Sequence, residues 1–245
     1  MSAGLLRGTN ERRLTPVAIY RDLRTPRGNP AVLEARDDTS DYSVIGSTFA
    51  GVAGSGLVDE YHLKDTYITG RFVDVGAHVG SVTIAVLLDN PDATAICVEP
   101  IPENVAVLRQ NLELNGLTDR ATVIEGAVGA DTVFYRWSGT EHLETNRFIA
   151  NPVGQVFGQD WPHDALKVRQ VGIAELLPCD AMKLDCEGGE WALFRSKKIL
   201  TVPIVFGEFH GNPGQDGVSA VFAKTHDVTF QNVDVAAGGF RAVWR

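Results

Sequence analysis

An alternation of apolar strands with helical segments, regular from residue 72 onward, limits the folds open to this chain. Residues 102–116 place Val105 and Leu108 on one helix face and end on an Asn-Gly stop. Strands that alternate with helices predict an α/β, doubly wound, mostly parallel sheet covered by helices on both faces. The segments with the character of buried strands are residues 72–75, 93–99, 121–128, 180–187 and 201–211.

The two ends of the chain differ from this regular part. Two alternating runs within residues 221–245 predict an antiparallel hairpin that completes the sheet. Residues 1–45 are polar and rich in arginine, so we predict an arm or lead-in before a single domain that spans residues 46–245. The longest interruption, residues 131–170, carries aromatic side chains and predicts a substrate lid, although simple packing of these aromatics onto the core is an equal alternative.

Charge and composition exclude several classes of partner. A net charge of −9 argues against nucleic acid, because phosphate binding needs a basic surface. Six arginines against two acids within residues 1–30 indicate a flexible arm or a contact within a homo-oligomer. No run reaches the roughly 18 apolar residues of a membrane helix, and the N-terminus lacks a signal-like apolar core. With three cysteines and no CxxC spacing, we expect a cytoplasmic protein without a membrane partner.

The segment FVDVGAHVGSVTIA, residues 72–85, places an acid in an apolar strand and two glycines before a helix. Gly76 and Gly80 permit a tight turn and a close approach of the backbone to a ligand, towards which the free helix amides also point. The DxGxxxG spacing is not the dinucleotide GxGxxG, and no GK[ST] follows, so pyrophosphate binding is disfavoured. Asp74 either contacts the ligand or only holds the loop, and His78 is either a ligand contact or an exposed loop residue.

Glu99 ends the second strand, where its carboxylate can accept hydrogen bonds from both hydroxyls of a ribose. Each such bond to a charged acceptor is worth about 1.5–3 kcal/mol. S-adenosylmethionine has a ribose and no pyrophosphate, so it fits both this carboxylate and the glycine turn. The alternative is that Glu99 is only a solvated strand end.

The segments FVDVGAHVGSVTI, CVEP, NLELNG, EGAVG and MKLDCEGGEWALF, in this order, resemble the FkbM-type family of S-adenosylmethionine-dependent methyltransferases over residues 71–210. The resemblance implies a class I methyltransferase (Rossmann-like) fold and, usually, methylation of a hydroxyl on a sugar or natural product. It also implies that the loop from Asp74 to Gly80 and Glu99 hold the cofactor, with Glu125 and Ala127 near the adenine. The sequence departs from the family at His78, where asparagine is more frequent, and in VGIAELLPCD, which lacks the acid of the family's LDD stretch.

Candidate catalytic groups lie in the fourth and fifth predicted strands. Alternation puts Asp185 and Glu187 on one face of KLDCEGGE, and Glu208 and His210 on one face of FGEFHG. We predict catalytic roles for Asp185, Glu208 and His210, with His210 or Asp185 as general base. The alternative is that Asp185, Glu187, Glu208 and His210 bind a divalent cation such as Mg²⁺ or Mn²⁺. No HxxxH or DxD spacing requires a metal, so a metal-free base is favoured.

Two further charged residues receive structural interpretations. Glu190 precedes Lys197 and Lys198 in the order that a helix dipole favours, which predicts a structural role. Lys183 lies inside a predicted strand and needs a carboxylate partner, which the sequence does not identify. The sequence as a whole predicts a methyltransferase for a hydroxyl of a small molecule. The alternatives are a methyltransferase for a protein or peptide, and a nucleoside-binding module without catalysis.

Overall fold

A computed structural model describes most of the chain. The described residues are 17–37, 39–52, 58–128, 133–136, 149–150, 165–234 and 237–245. Most of the predicted lid at residues 131–170 lies outside them, with Trp137 and Trp161, as does the first part of the predicted arm.

Strands and short helices alternate along the described chain. The strands are β1 Val17–Arg24, β2 Pro30–Arg36, β3 Arg71–Val75, β4 Thr94–Glu99, β5 Ala121–Glu125, β6 Ala127–Val128, β7 Val133–Arg136, β8 Ile149–Ala150, β9 Ala165–Val168, β10 Gln170–Val171, β11 Ala181–Leu184, β12 Ile204–His210, β13 His226–Gln231 and β14 Ala237–Trp244. The α-helices are α1 Asp41–Thr48, α2 Ser81–Asp89, α3 Pro102–Leu114, α4 Ile173–Leu176, α5 Glu190–Phe194 and α6 Gly214–Phe222. Segments of 3₁₀-helix are Leu63–Asp65, Thr118–Arg120 and Lys197–Thr201.

Seven strands form the central sheet in the order β13-β14-β12-β11-β3-β4-β5. The strands from β12 to β5 are mutually parallel, while β14 lies antiparallel between β12 and β13. This confirms the predicted α/β sheet with its closing hairpin, and the neighbourhood of the fourth and fifth predicted strands. The chain moves from β3 outward to β4 and β5 and later returns to β11 on the other side. The carboxyl ends beside β3 are therefore the topological switch point, where such sheets bind ligands.

Alternate residues of β3 serve two separate cores. Phe72 packs on one face of the sheet, where its ring stacks on Phe206 at 6.1 Å, and Val73 and Val75 belong to the cluster on the other face. Strands that are apolar on both faces are typical of parallel sheets covered on both sides. Burial of each such side chain contributes about 1.5–3 kcal/mol. The aspartate within this strand, Asp74, is therefore the exception that requires a local partner.

Residues 17–36, which belong to the predicted arm at residues 1–45, form a hairpin that packs on the domain. Leu23 and Leu33 are almost fully buried in the same core cluster as Phe72. Asn111 in α3 and Asn115 at its C-cap bind the edge of β2: Asn111 Oδ1 accepts from Glu34 N at 2.6 Å, and Asn115 Oδ1 accepts from Val32 N at 3.0 Å. The hairpin thus adds to the core, while a domain boundary near residue 45 stays a prediction.

In the described ranges, no helix has the length and apolar character that crossing a membrane requires.

Candidate active site

A cavity of about 320 Å³ opens at the carboxyl ends of β3, β4 and β11. One wall is the turn after β3, and the wall facing it comes from α1 and from Glu60 and Tyr61. The remaining walls are Val98–Ile101, Gly126–Val128 and the loop after β11. The cavity therefore lies at the switch point of strand order, where sheets of this kind bind ligands.

Both glycines of the turn are required by its geometry. Gly76 has φ 79° and Gly80 φ 87°, in the left-handed region. A Cβ on Gly76 would lie 1.7 Å from the carbonyl oxygen of Asp185, and one on Gly80 would lie 2.3 Å from Leu108 Cδ1. Gly76 lines the cavity, whereas Gly80 lies outside the cavity lining and starts α2 against α3. Of the two, only Gly76 is placed to let a ligand approach the backbone.

Lys183 explains the acid inside β3. Strand register places Lys183 beside Asp74, and its Nζ lies 3.5 Å from Asp74 Oδ1. The same Nζ lies 3.5 Å from Asp185 Oδ2 and donates to Gly76 O at 2.8 Å. Burial opposes the charge on the lysine, but Asp185 and Asp74 outweigh it and raise the pKa of Lys183. The carboxylate partners that the sequence could not identify are therefore Asp74 and Asp185.

Asp74 itself is fully buried and is absent from the cavity lining. Its Oδ2 accepts a hydrogen bond from Thr83 Oγ1 at 2.7 Å, which ties β3 to α2. The contacts of Asp74 with Thr83 and Lys183 hold the end of β3 in place and thereby support the glycine turn that follows it. The geometry therefore favours the loop-holding role for Asp74 over direct contact with a ligand.

Glu99 faces the cavity and is only 4% exposed. Its Oε2 accepts from His78 N at 2.8 Å, and its Oε1 accepts from Ile101 N and Asn104 Nδ2, both at 3.1 Å. Burial raises the pKa of Glu99 to about 7, although the three donors oppose that change. Since a carboxylate oxygen can accept two bonds, Oε2 retains capacity for a ligand hydroxyl.

His78 also lines the cavity, at the centre of the turn. Its φ of 50° is unusual for a residue with a side chain. The ring Nε2 lies 3.4 Å from Ser40 Oγ and 3.7 Å from Asp41 Oδ1, and the buried Nδ1 has no hydrogen-bond partner within the described ranges. Burial lowers the pKa of His78 to about 4, so the ring is neutral near pH 7.

The predicted adenine-flanking residues separate in the structure. Ala127 lines the cavity with its neighbours Gly126 and Val128. Glu125, by contrast, is exposed at the end of the edge strand β5 and does not line the cavity. The sequence therefore identified the correct end of the sheet for Ala127, but the Glu125 carboxylate does not face the cavity.

The loop after β11 supplies the acids at the other end of the cavity. β11 ends at Leu184, so Asp185 and Glu187 do not alternate along a strand as predicted. Glu187 has φ 55° and Gly188 has φ 100°, conformations that a strand cannot contain. Asp185 and Glu187 nevertheless line the cavity.

Asp185 is fixed from two sides. Its Oδ2 accepts from Tyr61 OH at 3.0 Å and faces Lys183 Nζ. Burial would raise the pKa of Asp185, but Lys183 more than compensates and lowers it. Asp185 is therefore an ionised and oriented carboxylate in the cavity wall.

His210 is held between two carboxylates. Nδ1 lies 3.2 Å from Glu190 Oε1, and Nε2 lies 3.3 Å from Glu208 Oε2. Burial opposes a charged ring, but Glu190 and Glu208 raise the pKa of His210 to about 11. A charged ring with both nitrogens engaged cannot take up a proton, and His210 does not line the cavity, unlike Glu208. The geometry argues against the predicted role of His210 as general base.

The alternative cation site is only partly assembled. Asp185, Glu187 and His210 each place one potential ligand atom within 4.8 Å of the others. The two nitrogens of His210 face Glu190 and Glu208, so in this arrangement the ring is paired with carboxylates. The structure therefore brings three of the four candidate ligands together.

Several cavity residues were missed by sequence reasoning. Tyr61 and Glu60 lie in a polar segment without periodicity. Ser40 caps the short helix α1 and Ser47 lies within it, and the sequence pattern did not predict this helix. Nothing local in these segments marks them as cavity walls. Asn104 could have been found, because a helix start at Pro102 places it in the first turn, close to Glu99.

A seven-stranded sheet with one reversed strand, a glycine turn after its central strand and an acid at the end of the next strand define a class I methyltransferase fold. The chain belongs to the FkbM methyltransferase family: the family model described as "Methyltransferase FkbM domain" matches residues 74–237, which are 164 of the 245 residues. This confirms the resemblance noted in the sequence. Membership of a methyltransferase family implies S-adenosylmethionine as the methyl donor.

Solved structures show a distant similarity. The C-terminal domain of precorrin-6Y C5,15-methyltransferase from Rhodobacter capsulatus is 12% identical with a TM-score of 0.44, covering 71% of this chain and 80% of that one. A putative rRNA methylase from Clostridium thermocellum is 11% identical with a TM-score of 0.45, covering 73% and 88%. An O-methyltransferase family 2 protein from Planctomyces limnophilus, in complex with apigenin, is 10% identical with a TM-score of 0.41, covering 71% and 51%. At these values the similarities support no statement about substrate. No curated protein matches the chain significantly.

Proposed function

We propose that the protein transfers the methyl group of S-adenosylmethionine to a hydroxyl of a small molecule, with a sugar or a secondary metabolite as acceptor. The observation that carries the proposal is the position of Glu99, a buried carboxylate in the cavity wall beside the glycine turn. The alternatives left by the sequence, a peptide acceptor and a binding module without catalysis, are separated by measuring cofactor turnover with a panel of acceptors.

The residues of the cavity fit this cofactor. Glu99 has acceptor capacity for the ribose hydroxyls, and Gly76 to His78 bring backbone to the cavity surface for the amino-acid end. Gly126 to Val128 offer a surface without long side chains for the adenine. When bound, the cofactor supplies an electrophilic methyl group on sulfur.

Asp185 is the group we assign to proton removal. The Asp185 carboxylate would take up the proton of the acceptor hydroxyl, while the acceptor oxygen would bond to the methyl carbon and the bond from that carbon to sulfur would break, leaving S-adenosylhomocysteine. Tyr61 and Lys183 fix this carboxylate in the wall, and Glu208 lines the same cavity. Alignment of the two reactants can supply about 7–11 kcal/mol, and a positioned base adds about 10²–10⁴-fold.

The proposal involves no divalent cation. Activity that survives exhaustive chelation is the expected result, because His210 is already paired with Glu190 and Glu208 and Asp185 with Lys183. Loss of activity on chelation, reversed by added Mg²⁺ or Mn²⁺, would contradict this part of the proposal.

The decisive test of the cofactor site is Glu99→Ala. Loss of the charge-assisted hydrogen bond that Glu99 Oε2 can accept should weaken binding of S-adenosylhomocysteine at least roughly tenfold by calorimetry. Glu113→Ala, an exposed carboxylate on α3, is the matched control and should bind as the wild type does. Equal affinity of the Glu99 variant and the wild type would refute the site.

A further inference from the structure

Glu190 is the most completely buried carboxylate near the acidic end of the cavity. Its side chain has no exposed surface. Oε1 accepts from Cys186 N and Oε2 accepts from Gly188 N, both at 2.8 Å, and Oε1 also lies 3.2 Å from His210 Nδ1. The helix-dipole role predicted from sequence does not account for these contacts, which join the loop after β11 to the end of β12.

The ring of His210 is thereby fixed in direction. Its second nitrogen, Nε2, lies 3.3 Å from Glu208 Oε2, and its backbone oxygen accepts from Trp191 Nε1 at 2.6 Å. The charged groups that face the ring are all carboxylates: Glu190 from α5, Glu208 from its own strand, and Asp185 and Glu187 from the loop after β11.

Glu208 occupies a position that neither the glycine turn nor Glu99 reaches. It lines the main cavity and also a second cavity of about 150 Å³, whose walls include Gln231, Asn232 and Gly238. Glu60 and Tyr61 are the other residues common to both cavities. The junction of the two cavities lies beside Asp185, through its contact with Tyr61. An acceptor that enters by the second cavity would pass the Glu208 carboxylate.

We propose that Glu190 is a positioning residue which, through His210, holds the Glu208 carboxylate at the junction of the two cavities, where it orients the acceptor. The proposal rests on the methyltransferase function proposed above, which places the acceptor at this end. His210 then acts as a fixed imidazolium and not as a base. Removal of the Glu190 or the Glu208 carboxylate leaves only one ring nitrogen of His210 in contact with a carboxylate. The ring should then lose its proton more readily.

The first test is the titration of His210 by NMR, with ¹³Cε1-labelled histidine and assignment from the signal lost in His210→Asn. We expect no titration of His210 between pH 6 and 9 in the wild type. Glu190→Gln and Glu208→Gln should each bring the midpoint of His210 into this range, and the control Glu113→Gln should not. A wild-type midpoint near 6.5, or no midpoint within this range in both variants, would overturn the proposal.

The second test is the crystal structure of Glu190→Gln. We expect the Glu208 carboxylate to move away from its 3.3 Å contact with His210 Nε2, while the turn at Gly76 stays in place. An unmoved Glu208 would show that Glu190 supports only the local loop. If Glu190→Gln does not fold, Glu208→Gln, which changes a partly exposed side chain, carries the titration test alone.

Binding of S-adenosylhomocysteine to the wild type distinguishes a failure of the methyltransferase proposal from a failure of the positioning role of Glu190. A wild type that binds no cofactor would refute the methyltransferase proposal and leave the histidine titration interpretable. A wild type that binds the cofactor but shows a freely titrating His210 would refute only the positioning role.

Discussion

The cavity has two ends that are built in different ways. The donor end is the part around Glu99, where we propose that the methyl donor binds, and the acidic end is the part around Asp185 and Glu208. At the donor end, Glu99 and its three hydrogen-bond donors lie within residues 78–104, in the turn after β3, at the end of β4 and at the start of α3. At the acidic end, Tyr61 and Asp185 are 124 positions apart in the chain, and Glu190 meets Glu208 through His210. One end is a local motif, whereas the other exists only once distant segments have packed together.

The same difference appears in the charges. Glu99 is surrounded by uncharged donors, and burial raises its pKa to about 7. Asp185 experiences burial too, but the ammonium group of Lys183 overcomes it and lowers the pKa of Asp185. Two carboxylates in one cavity therefore differ in proton affinity because of their neighbours.

The largest effect should come from Lys183, which touches both ends. Lys183→Met would leave Asp74 and Asp185 without their shared cation, and breaking a buried pair in this way costs about 3–5 kcal/mol. Urea unfolding measures the loss, with the exposed Lys198→Met as control. A loss of unfolding free energy below about 1 kcal/mol would mean that Asp74 and Asp185 do not depend on the ammonium group of Lys183.

A smaller effect should distinguish the donor end by its pH dependence. Ribose hydroxyls donate to the ionised form of Glu99, whose pKa is about 7 in the free protein. Affinity for S-adenosylhomocysteine should therefore rise with pH, by about tenfold from pH 6 to pH 8, with protons released on binding. Calorimetry in two buffers measures both quantities. Glu99→Gln should show no such slope, and a flat wild-type profile would contradict the shifted pKa.

The smallest effect should come from Tyr61→Phe at the acidic end. The change removes the hydrogen bond to Asp185 but keeps the ring packed on Phe206, so unfolding should be easier by only about 0.5–1.5 kcal/mol. Affinity for S-adenosylhomocysteine should be unchanged, since Glu99 and the glycine turn are untouched. A large loss of cofactor affinity would show that the two ends are coupled more tightly than their contacts indicate.

This contrast also explains what the sequence could predict. The strands around the cavity and the position of Glu99 follow from periodicity and from the rule that parallel strands end together. The partner of Lys183 requires the register of β11 on β3, which no local pattern contains. The roles of Tyr61 and Glu190 depend on segments that meet only in the folded chain, and His210 looked like a base because its two carboxylate neighbours were not visible together.

The span matched by the family, residues 74–237, is shorter than the span that closes the cavity. Ser40, Ser47 and Tyr61 precede it, and most of β14, an interior strand of the sheet, follows it. An expression fragment trimmed to the match would keep all but the first two residues of the signature segments, yet it would lack one wall of the cavity and expose two unpaired strand edges. Chimeras that exchange residues 39–61 should accordingly change which molecules enter the cavity, while Glu99 and the glycine turn stay unchanged.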